Sequence, residues 1–192
     1  MRKNIKIKKI IGVLLLVILL VIWGVKIYDT YAKYRIPEDV HYGYGDALDY
    51  QGVRYRLNSA EIYDFDEILK VYGLEEHRTQ LDLDEEELGQ QKYVLVKFEI
   101  TALEENYQID TSRMYAYNEY DVSPVMIDYM YYMNNGSIII DDLNIGEPRE
   151  YLVVFGIWGC YYSEKTFNEL DVDDIQINID DSENGLVYCF EL

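Results

Sequence analysis

The chain has 192 residues, of which 49% are hydrophobic and 28% are charged, and its formal net charge is −19. This composition excludes a fully disordered or collagen-like chain and supplies enough apolar residues for one folded domain. Residues 1–28 hold six bases and no acid, so residues 29–192 carry all 36 acids and only 11 of the 17 bases. An acidic body repels phosphate backbones, which argues against a nucleic-acid partner.

The N-terminal segment is basic and then apolar. Five of the first nine residues are Lys or Arg, and residues 10–25 carry no charge. As a helix, an apolar run of this length spans about 24 Å, and flanking lysines can extend it by reaching the headgroups. The run predicts a transmembrane signal anchor over residues 10–28, with a single crossing of the cell membrane. Because bases mark the cytoplasmic side, residues 1–9 are the predicted cytoplasmic tail, residues 29–39 a juxtamembrane stalk and residues 40–192 an extracellular domain.

A cleaved secretory signal peptide is the alternative explanation of the apolar run. Cleavage needs small residues at positions −3 and −1, and the segment from Trp23 to Tyr28 offers no such pair. No Cys follows the run directly, which argues against lipoprotein processing. We therefore expect an uncleaved anchor.

The first element of the body is a strand. Residues Gly52–Leu57 alternate between apolar and polar side chains, which predicts a half-buried strand. The parity of the apolar positions then changes from odd to even, and this change predicts a β-bulge near Asn58 and Ser59.

A short helix and an acidic segment follow. Helical spacing of the apolar residues predicts a helix over Phe65–Tyr72, which Gly73 ends. The acidic segment Leu81–Leu88 predicts a solvated loop or a weak helical turn.

The rest of the chain predicts strands. Tyr93–Thr101 alternates clearly, and Glu150–Trp158 is apolar on both faces, which predicts a central strand. Weaker patterns predict further strands at Arg113–Tyr117, Pro124–Tyr132, Ser137–Ile140, Asp174–Ile179 and Leu186–Glu191. So many short strands with few helical interruptions indicate an all-β protein, an antiparallel β-sandwich with a short helical insertion. A β-barrel is the alternative.

Patterns typical of catalytic sites are missing from the sequence. It contains no nucleophile elbow, phosphate-binding loop, dinucleotide fingerprint or HExxH zinc motif. His41 and His77 stand alone, and carboxylate pairs such as Asp64 and Asp66 are expected in any chain this acidic. We therefore expect a protein that is not an enzyme and has no catalytic residues and no cofactor.

One acidic segment fits part of a calcium-binding template. If Asp180 is position 1 of an EF-hand loop, then Ser182, Asn184 and Glu191 fall at positions 3, 5 and 12, with Gly185 at position 6. However, Ile175–Ile179 alternates like a strand, and no helix can follow Glu191. A β-hairpin turn, with positive φ at Asn184 and Gly185, is the favoured alternative.

The two cysteines, Cys160 and Cys189, are candidates for one disulfide, because an extracellular domain lies in an oxidising environment. Two free thiols are the alternative. The spacing of the two residues does not decide between these, since a bridge needs Cα atoms within about 7 Å.

Tyrosine is the most over-represented residue type, with 21 copies. A candidate interface is formed by residues of the middle of the chain, namely Tyr115, Tyr117, Tyr129, Tyr131 and Tyr132. Tyr is enriched at recognition surfaces, but it also fits half-buried strands, so packing of a sandwich is the alternative explanation.

Four features together carry a resemblance to a known group of proteins. They are the basic tail with its anchor, the strand Tyr55–Glu61, the strand Lys92–Thr101 and the turn at Gly146–Glu147 that leads into an apolar strand. With these features the chain resembles uncharacterised membrane-anchored or lipoprotein Ig-like domains of Gram-positive bacteria. The resemblance implies an immunoglobulin-like sandwich outside the membrane and brings no catalytic residues. The chain departs from the group in lacking a lipid-acceptor Cys and in its helix at 65–73.

The sequence therefore predicts a membrane-tethered extracellular module that binds a protein partner in the cell envelope and has no catalytic activity. The alternative function is a Ca²⁺-responsive or envelope-stress sensor that signals through a membrane partner. A cell-wall hydrolase is a third class, and it would need a cleft with two buried carboxylates.

Overall fold

The computed structural model describes residues 17–28, 37–82, 90–134, 136 and 142–192. The chain divides into two compact units, Met1–Pro37 and Glu38–Leu192. In the first unit, residues 17–28 are helical. No helix among the described residues is long and apolar enough to cross a membrane, so the predicted transmembrane helix over residues 10–28 is wrong. The predictions for the tail at 1–9, the start of the anchor at 10–16 and most of the stalk, residues 29–36, lie outside the described residues.

The second unit contains nine described strands in two sheets. Their bounds are β1 Glu38–Tyr42, β2 Ala47–Tyr50, β3 Val53–Asp64, β4 Gln91–Ala102, β5 Met114–Tyr117, β6 Val122–Pro124, β7 Pro148–Trp158, β8 Gln176–Asp181 and β9 Leu186–Glu191. Sheet I has the order β1-β9-β8-β5-β6, and sheet II has the order β2-β3-β4-β7. Neighbouring strands are antiparallel except β1 and β9, the first and last strands, which pair in parallel.

Four short α-helices of this unit are described, α1 Phe65–Tyr72, α2 Arg78–Leu81, α3 Ile127–Met133 and α4 Glu164–Asn168. Single turns of 3₁₀-helix lie at Glu75–His77, Thr111–Arg113, Gly159–Tyr161 and Val172–Asp174.

The main hydrophobic core lies between the two sheets. Alternation along each strand places every second side chain in this layer. From β4 these are the four residues that the sequence assigns to one face, Val94, Val96, Phe98 and Ile100, all fully buried. They pack with side chains of sheet I such as Ile177 and Phe190.

A second core covers the other face of sheet II. Tyr93 and Leu95 of β4 and Val154 of β7 pack there against Ile68 of α1 and Tyr129 of α3. Sheet II is therefore covered by sheet I on one face and, around Tyr93, Leu95 and Val154, by helices on the other.

The helical layer explains why one strand prediction is wrong. β7 is apolar on both faces, as the sequence shows, but it is an edge strand of sheet II and not a central one. Its outer face is buried by the helical layer, to which α3 belongs, and not by a position inside the sheet.

The prediction of an all-β, immunoglobulin-like antiparallel sandwich is also wrong. Of the described residues, 31% are helical and 42% lie in strands, so the protein is mixed. The predicted strand Pro124–Tyr132 shows the cause, because β6 ends at Pro124 and residues Ile127–Met133 form α3. Tyr and Met fit either structure, and burial of Tyr129 in the second core and of Met130 in the main core selects the helix. The strand predicted at 137–140 lies outside the described residues.

Several local predictions are confirmed. The helix covers Phe65–Tyr72, and Gly73 ends it with a left-handed φ of 65° that a glycine adopts without strain. The register of β3 with β4 shifts between Leu57 and Ser59, so Asn58 is the extra residue of the bulge. The segment 182–185 is the turn of the β8–β9 hairpin, although only Gly185 has a positive φ there and Asn184 does not.

Candidate functional site

The outer face of sheet I is the candidate functional site. Side chains of alternate residues point to it, away from the core. These residues are Asp39, His41, Tyr115, Tyr117, Val122, Pro124, Gln176, Asn178, Asp180, Val187, Cys189 and Glu191. In the described part of the chain, the two hydrophobic clusters lie between the sheets and on sheet II, so neither covers these residues. We call this surface the open face.

The parallel pairing of β1 with β9 assembles one end of the open face. It begins at Glu38, whose backbone N–H donates to the carbonyl of Gly185 at 2.9 Å. The register then places His41 beside Cys189. The Nδ1 atom of His41 lies 3.1 Å from Oε1 of Glu191.

Arg113 fixes the position of the other strands. Its guanidinium lies 3.2 Å from Asp110, in the turn before β5, and 3.3 Å from Glu183, in the turn between β8 and β9. It also donates to the backbone carbonyl of Asp180 at 3.4 Å. The start of β5 is thereby held to the β8–β9 hairpin, which sets the register of Tyr115 opposite Asn178.

Asn178 lies near the centre of the open face, between Cys189 of β9 and Tyr115 of β5. It is only 6% exposed, and its Oδ1 atom accepts no hydrogen bond from the described residues. Burial of the ring raises the pKa of the Tyr115 phenol, and the Asn178 amide beside it acts in the opposite direction. A buried amide oxygen without a donor costs about 1–3 kcal/mol, so native proteins keep few of them.

Cys189, His41 and Glu191 together resemble the residue types of a nucleophilic triad. The thiol is 2% exposed, and its Sγ atom donates to the carbonyl of Val187 at 3.8 Å. Burial raises its pKa to about 11, and the carboxylates of Asp39 and Glu191 act in the same direction. The thiolate is the nucleophilic form, so this thiol is poorly suited to catalysis at neutral pH.

The two sheets differ in charge. The five strands of sheet I contain five Asp or Glu and no Lys or Arg. The four strands of sheet II contain five acids and five bases. The negative charge of the strands is therefore concentrated in the sheet whose outer face is open.

The five tyrosines of the predicted interface do not form one surface. Tyr115 and Tyr117 lie on the open face, where Tyr117 is 45% exposed beside Val122. The other three belong to α3 on the opposite side of the two-sheet core. Tyr129 is buried there, Tyr132 stacks on His77 with ring centroids 4.0 Å apart, and Tyr131 is exposed.

The four residues of the calcium template are not brought together. Asp180 accepts the backbone N–H of Ser182 at 2.8 Å, and Asn184 donates to the side chain of Asp181 at 2.8 Å, so both belong to the hairpin turn. Glu191 pairs with Gln176, which is about 13 Å along β8 from Asp180 at 3.3 Å per residue. No group of three or more His, Cys, Asp or Glu among the described residues is placed to hold a metal ion.

The two cysteines are free thiols in the structure. Cys160 is exposed in the 3₁₀ turn after β7 of sheet II, whereas Cys189 is buried on β9 of sheet I. The disulfide that the sequence allows is not formed.

A groove of about 770 Å³ lies elsewhere, at the start of β4. It is lined by charged residues of both signs, and the Arg78 guanidinium lies 5.0 Å from the ring centre of Phe65. Asp82 and Gln90 also line this groove.

Sequence reasoning missed His41 and Asn178 as members of one site. The residues of β1 and β9 are about 150 positions apart in the chain, and no local pattern indicates a parallel pairing between them. Asn178 itself gave no signal, since it follows Gln176 at the next polar position of the alternating segment Ile175–Ile179.

No protein-family model and no curated protein matches the chain. Among solved structures, it is similar to a functionally unknown protein from Listeria monocytogenes EGD-e, with 11% sequence identity, a TM-score of 0.40 and 73% of each chain covered. A likeness at this level carries no argument about fold or function. The resemblance to membrane-anchored domains of Gram-positive bacteria stays a prediction.

Proposed function

We propose that residues 38–192 form a non-catalytic binding module that contacts a protein partner through the open face. The observation that carries this proposal is Asn178, whose Oδ1 atom is buried without a donor at the centre of a sheet face that no described hydrophobic cluster covers. A partner that supplies a donor would recover the hydrogen bond that folding leaves unmade. Tyr117 and Val122, 45% and 56% exposed, add an apolar contact area beside it.

The chemistry of the buried groups supports a protein without catalytic activity. A glycosidase would need two carboxylates facing each other across a cleft. Asp181 is the buried acid of the described residues, and its Oδ1 atom accepts hydrogen bonds from Tyr50 and Asn184 inside the protein. Cys189, the buried thiol, is protonated at neutral pH because of its raised pKa.

The calcium-responsive alternative depends on Glu191 completing a loop with Asp180. Because β9 carries Glu191 away from Asp180, the geometry gives this alternative no support. A stress-sensing role remains a prediction. The location outside the cell also remains a prediction, since it depends on residues 1–36.

Site-specific cross-linking tests the proposed surface. Tyr117 is replaced with p-benzoylphenylalanine in the full-length protein, and the matched control carries the same replacement at Tyr131, which is equally exposed on α3. We expect a defined protein adduct from position 117 and not from position 131. The captured partner is then purified, and its affinity for the unmodified protein and for Tyr117→Ala is measured by calorimetry. Equal adducts from both positions, or equal affinities, would contradict the proposal.

A further inference from the structure

We infer that the segment bound at the open face is a basic polypeptide, in which an arginine side chain donates to Asn178 Oδ1 and stacks against Tyr115 and Tyr117. This inference rests on the proposed function, because it names the chemistry of the partner at the same surface.

Charge is the first argument. The strands of sheet I contain Asp and Glu but no Lys or Arg. Two of these acids, Asp39 and Glu191, flank Cys189 on the open face. His41 is the one described basic side chain of the open face, and its Nδ1 atom lies 3.1 Å from Oε1 of Glu191. A neutral or acidic partner would leave these carboxylates without compensation, whereas a basic segment neutralises them and is attracted over a distance.

The second argument is the combination of an acceptor with aromatic rings. Asn178 Oδ1 has no donor among the described residues, and two rings lie on the neighbouring strand β5, that of Tyr115 opposite Asn178 and that of Tyr117 opposite Gln176. A guanidinium presents several N–H donors in one plane and stacks on aromatic faces, so it can satisfy both at once. Lysine carries a compact ammonium group, which can donate to the amide oxygen but does not stack flat on an aromatic ring. Tyr115 is the neighbouring side chain that must shift to admit the guanidinium, because it lies directly opposite Asn178 on β5.

The surroundings of the open face extend the same chemistry. A pocket of about 310 Å³ lies where β5 ends and β8 begins. Tyr120 lines this pocket; it is exposed, and its ring centre lies 5.3 Å from that of Tyr162 with the two rings tilted by 56°. Three carboxylates line it as well, those of Glu119, Glu169 and Asp174. This end of β5 and β8 therefore adds a second acidic and aromatic position near the open face.

The probe is a short peptide of alternating glycine and arginine with both ends blocked. It is titrated into isotopically labelled full-length protein and followed by NMR. The control peptide carries citrulline in place of arginine, which keeps the shape and removes the charge. We expect the arginine peptide to shift the side-chain amide signals of Asn178 and the backbone signals of Tyr115 and Tyr117, and the citrulline peptide to leave them unchanged.

Matched variants separate the open face from the general acidity of the protein. Tyr117→Ala is expected to weaken binding of the arginine peptide about threefold, and Tyr131→Ala to leave it unchanged. Glu191→Gln is expected to weaken binding by about the same factor. Its control is Glu76→Gln, because Glu76 is also an exposed partner of a histidine, with a separation of 3.6 Å from His77.

Two results would overturn the inference. One is that, in either pair, the variant and its control weaken binding of the arginine peptide equally. The peptide would then respond to the net charge of the protein and not to this surface. The other is equal binding of the citrulline peptide. If position 117 still cross-links a partner that binds through an acidic or apolar segment, the inference fails while the proposed function stands. If neither cross-linking nor peptide binding maps to the open face, both fail.

Discussion

The edge of β7 depends on one asparagine, and removing its side chain should destabilise the protein. Leu152 directs its backbone N–H and C=O away from β4, toward the edge of sheet II where no further described strand pairs. The Oδ1 atom of Asn134 accepts the Leu152 N–H at 3.1 Å, and the Nδ2 atom donates to the Leu152 carbonyl at 2.8 Å. The same Nδ2 donates to the carbonyl of Met130 at 3.0 Å, at the end of α3. A single side chain therefore joins the end of α3 to the edge of β7. It gives Leu152 the two backbone hydrogen bonds that a neighbouring strand would give.

The expected cost of Asn134→Ala follows from these three hydrogen bonds. At about 1 kcal/mol net for each bond, the loss is about 3 kcal/mol. Leu152 is half-buried, so water replaces part of the lost bonding. We therefore expect the free energy of unfolding to fall by about 2 kcal/mol. Asn144→Ala is the matched control, because Asn144 makes one exposed hydrogen bond, to Glu147 at 2.6 Å, and its loss should change stability by about 0.5 kcal/mol at most.

Urea denaturation of the full-length protein measures both variants, and Trp158 at the end of β7 provides a fluorescence signal. Amide hydrogen exchange adds a local test. The Leu152 amide should exchange faster in Asn134→Ala than the fall in global stability accounts for. The Val153 amide faces β4, so its exchange should speed up only as much as the fall in global stability predicts. The reasoning is refuted if Asn134→Ala and Asn144→Ala have the same stability and the Leu152 amide keeps its protection.

Two further predictions concern titrating groups. In the native protein a thiol reagent at neutral pH should modify the exposed Cys160 and spare Cys189, which is buried and has a pKa of about 11. Urea should expose Cys189 and make it reactive. Modification of both thiols at the same rate in the native protein would contradict this placement. Burial raises the pKa of Tyr55, Tyr129 and Tyr151 well above the usual value near 10. Their contribution to stability is complete below pH 10, where the unfolded chain also keeps its phenols protonated, and it is lost as pH rises above 10 because the unfolded state then releases protons. Tyrosinate absorbance should show a fraction of phenols that ionises only together with unfolding, and a single reversible titration of all 21 tyrosines near pH 10 would contradict the prediction.

Several local patterns in the sequence predict the local structure correctly. The helix Phe65–Tyr72 and its end at Gly73 follow from spacing within one turn. The bulge at Asn58 follows from a parity change within one strand, and the β8–β9 hairpin follows from two alternating runs around a turn. Each of these depends on residues close together in the chain.

The remaining structure depends on contacts that local patterns do not contain. β7 has the apolar pattern of a central strand, and only the packing of α3 shows why an edge strand needs it. The pairing of β1 with β9 joins the two ends of the unit. For the candidate site, alternation along β5 placed Tyr115 and Tyr117 together correctly, whereas His41 and Asn178 required the sheet order.

The sheet edges give a reason why recognition would use a face of sheet I and not the edge of a strand. An exposed edge can add a strand from another chain, and proteins usually block it. On β7 the side chain of Asn134 hydrogen-bonds to the backbone of Leu152, and the backbone N–H of Met126 donates to the carbonyl of Val154 at 2.7 Å. β6 has three residues and ends in Pro124, while β2 has four residues and β1 begins with two acids. With each edge blocked, short or acidic, recognition falls to the open face, where the buried amide oxygen of Asn178 has no donor among the described residues and the ring of Tyr117 is exposed nearby.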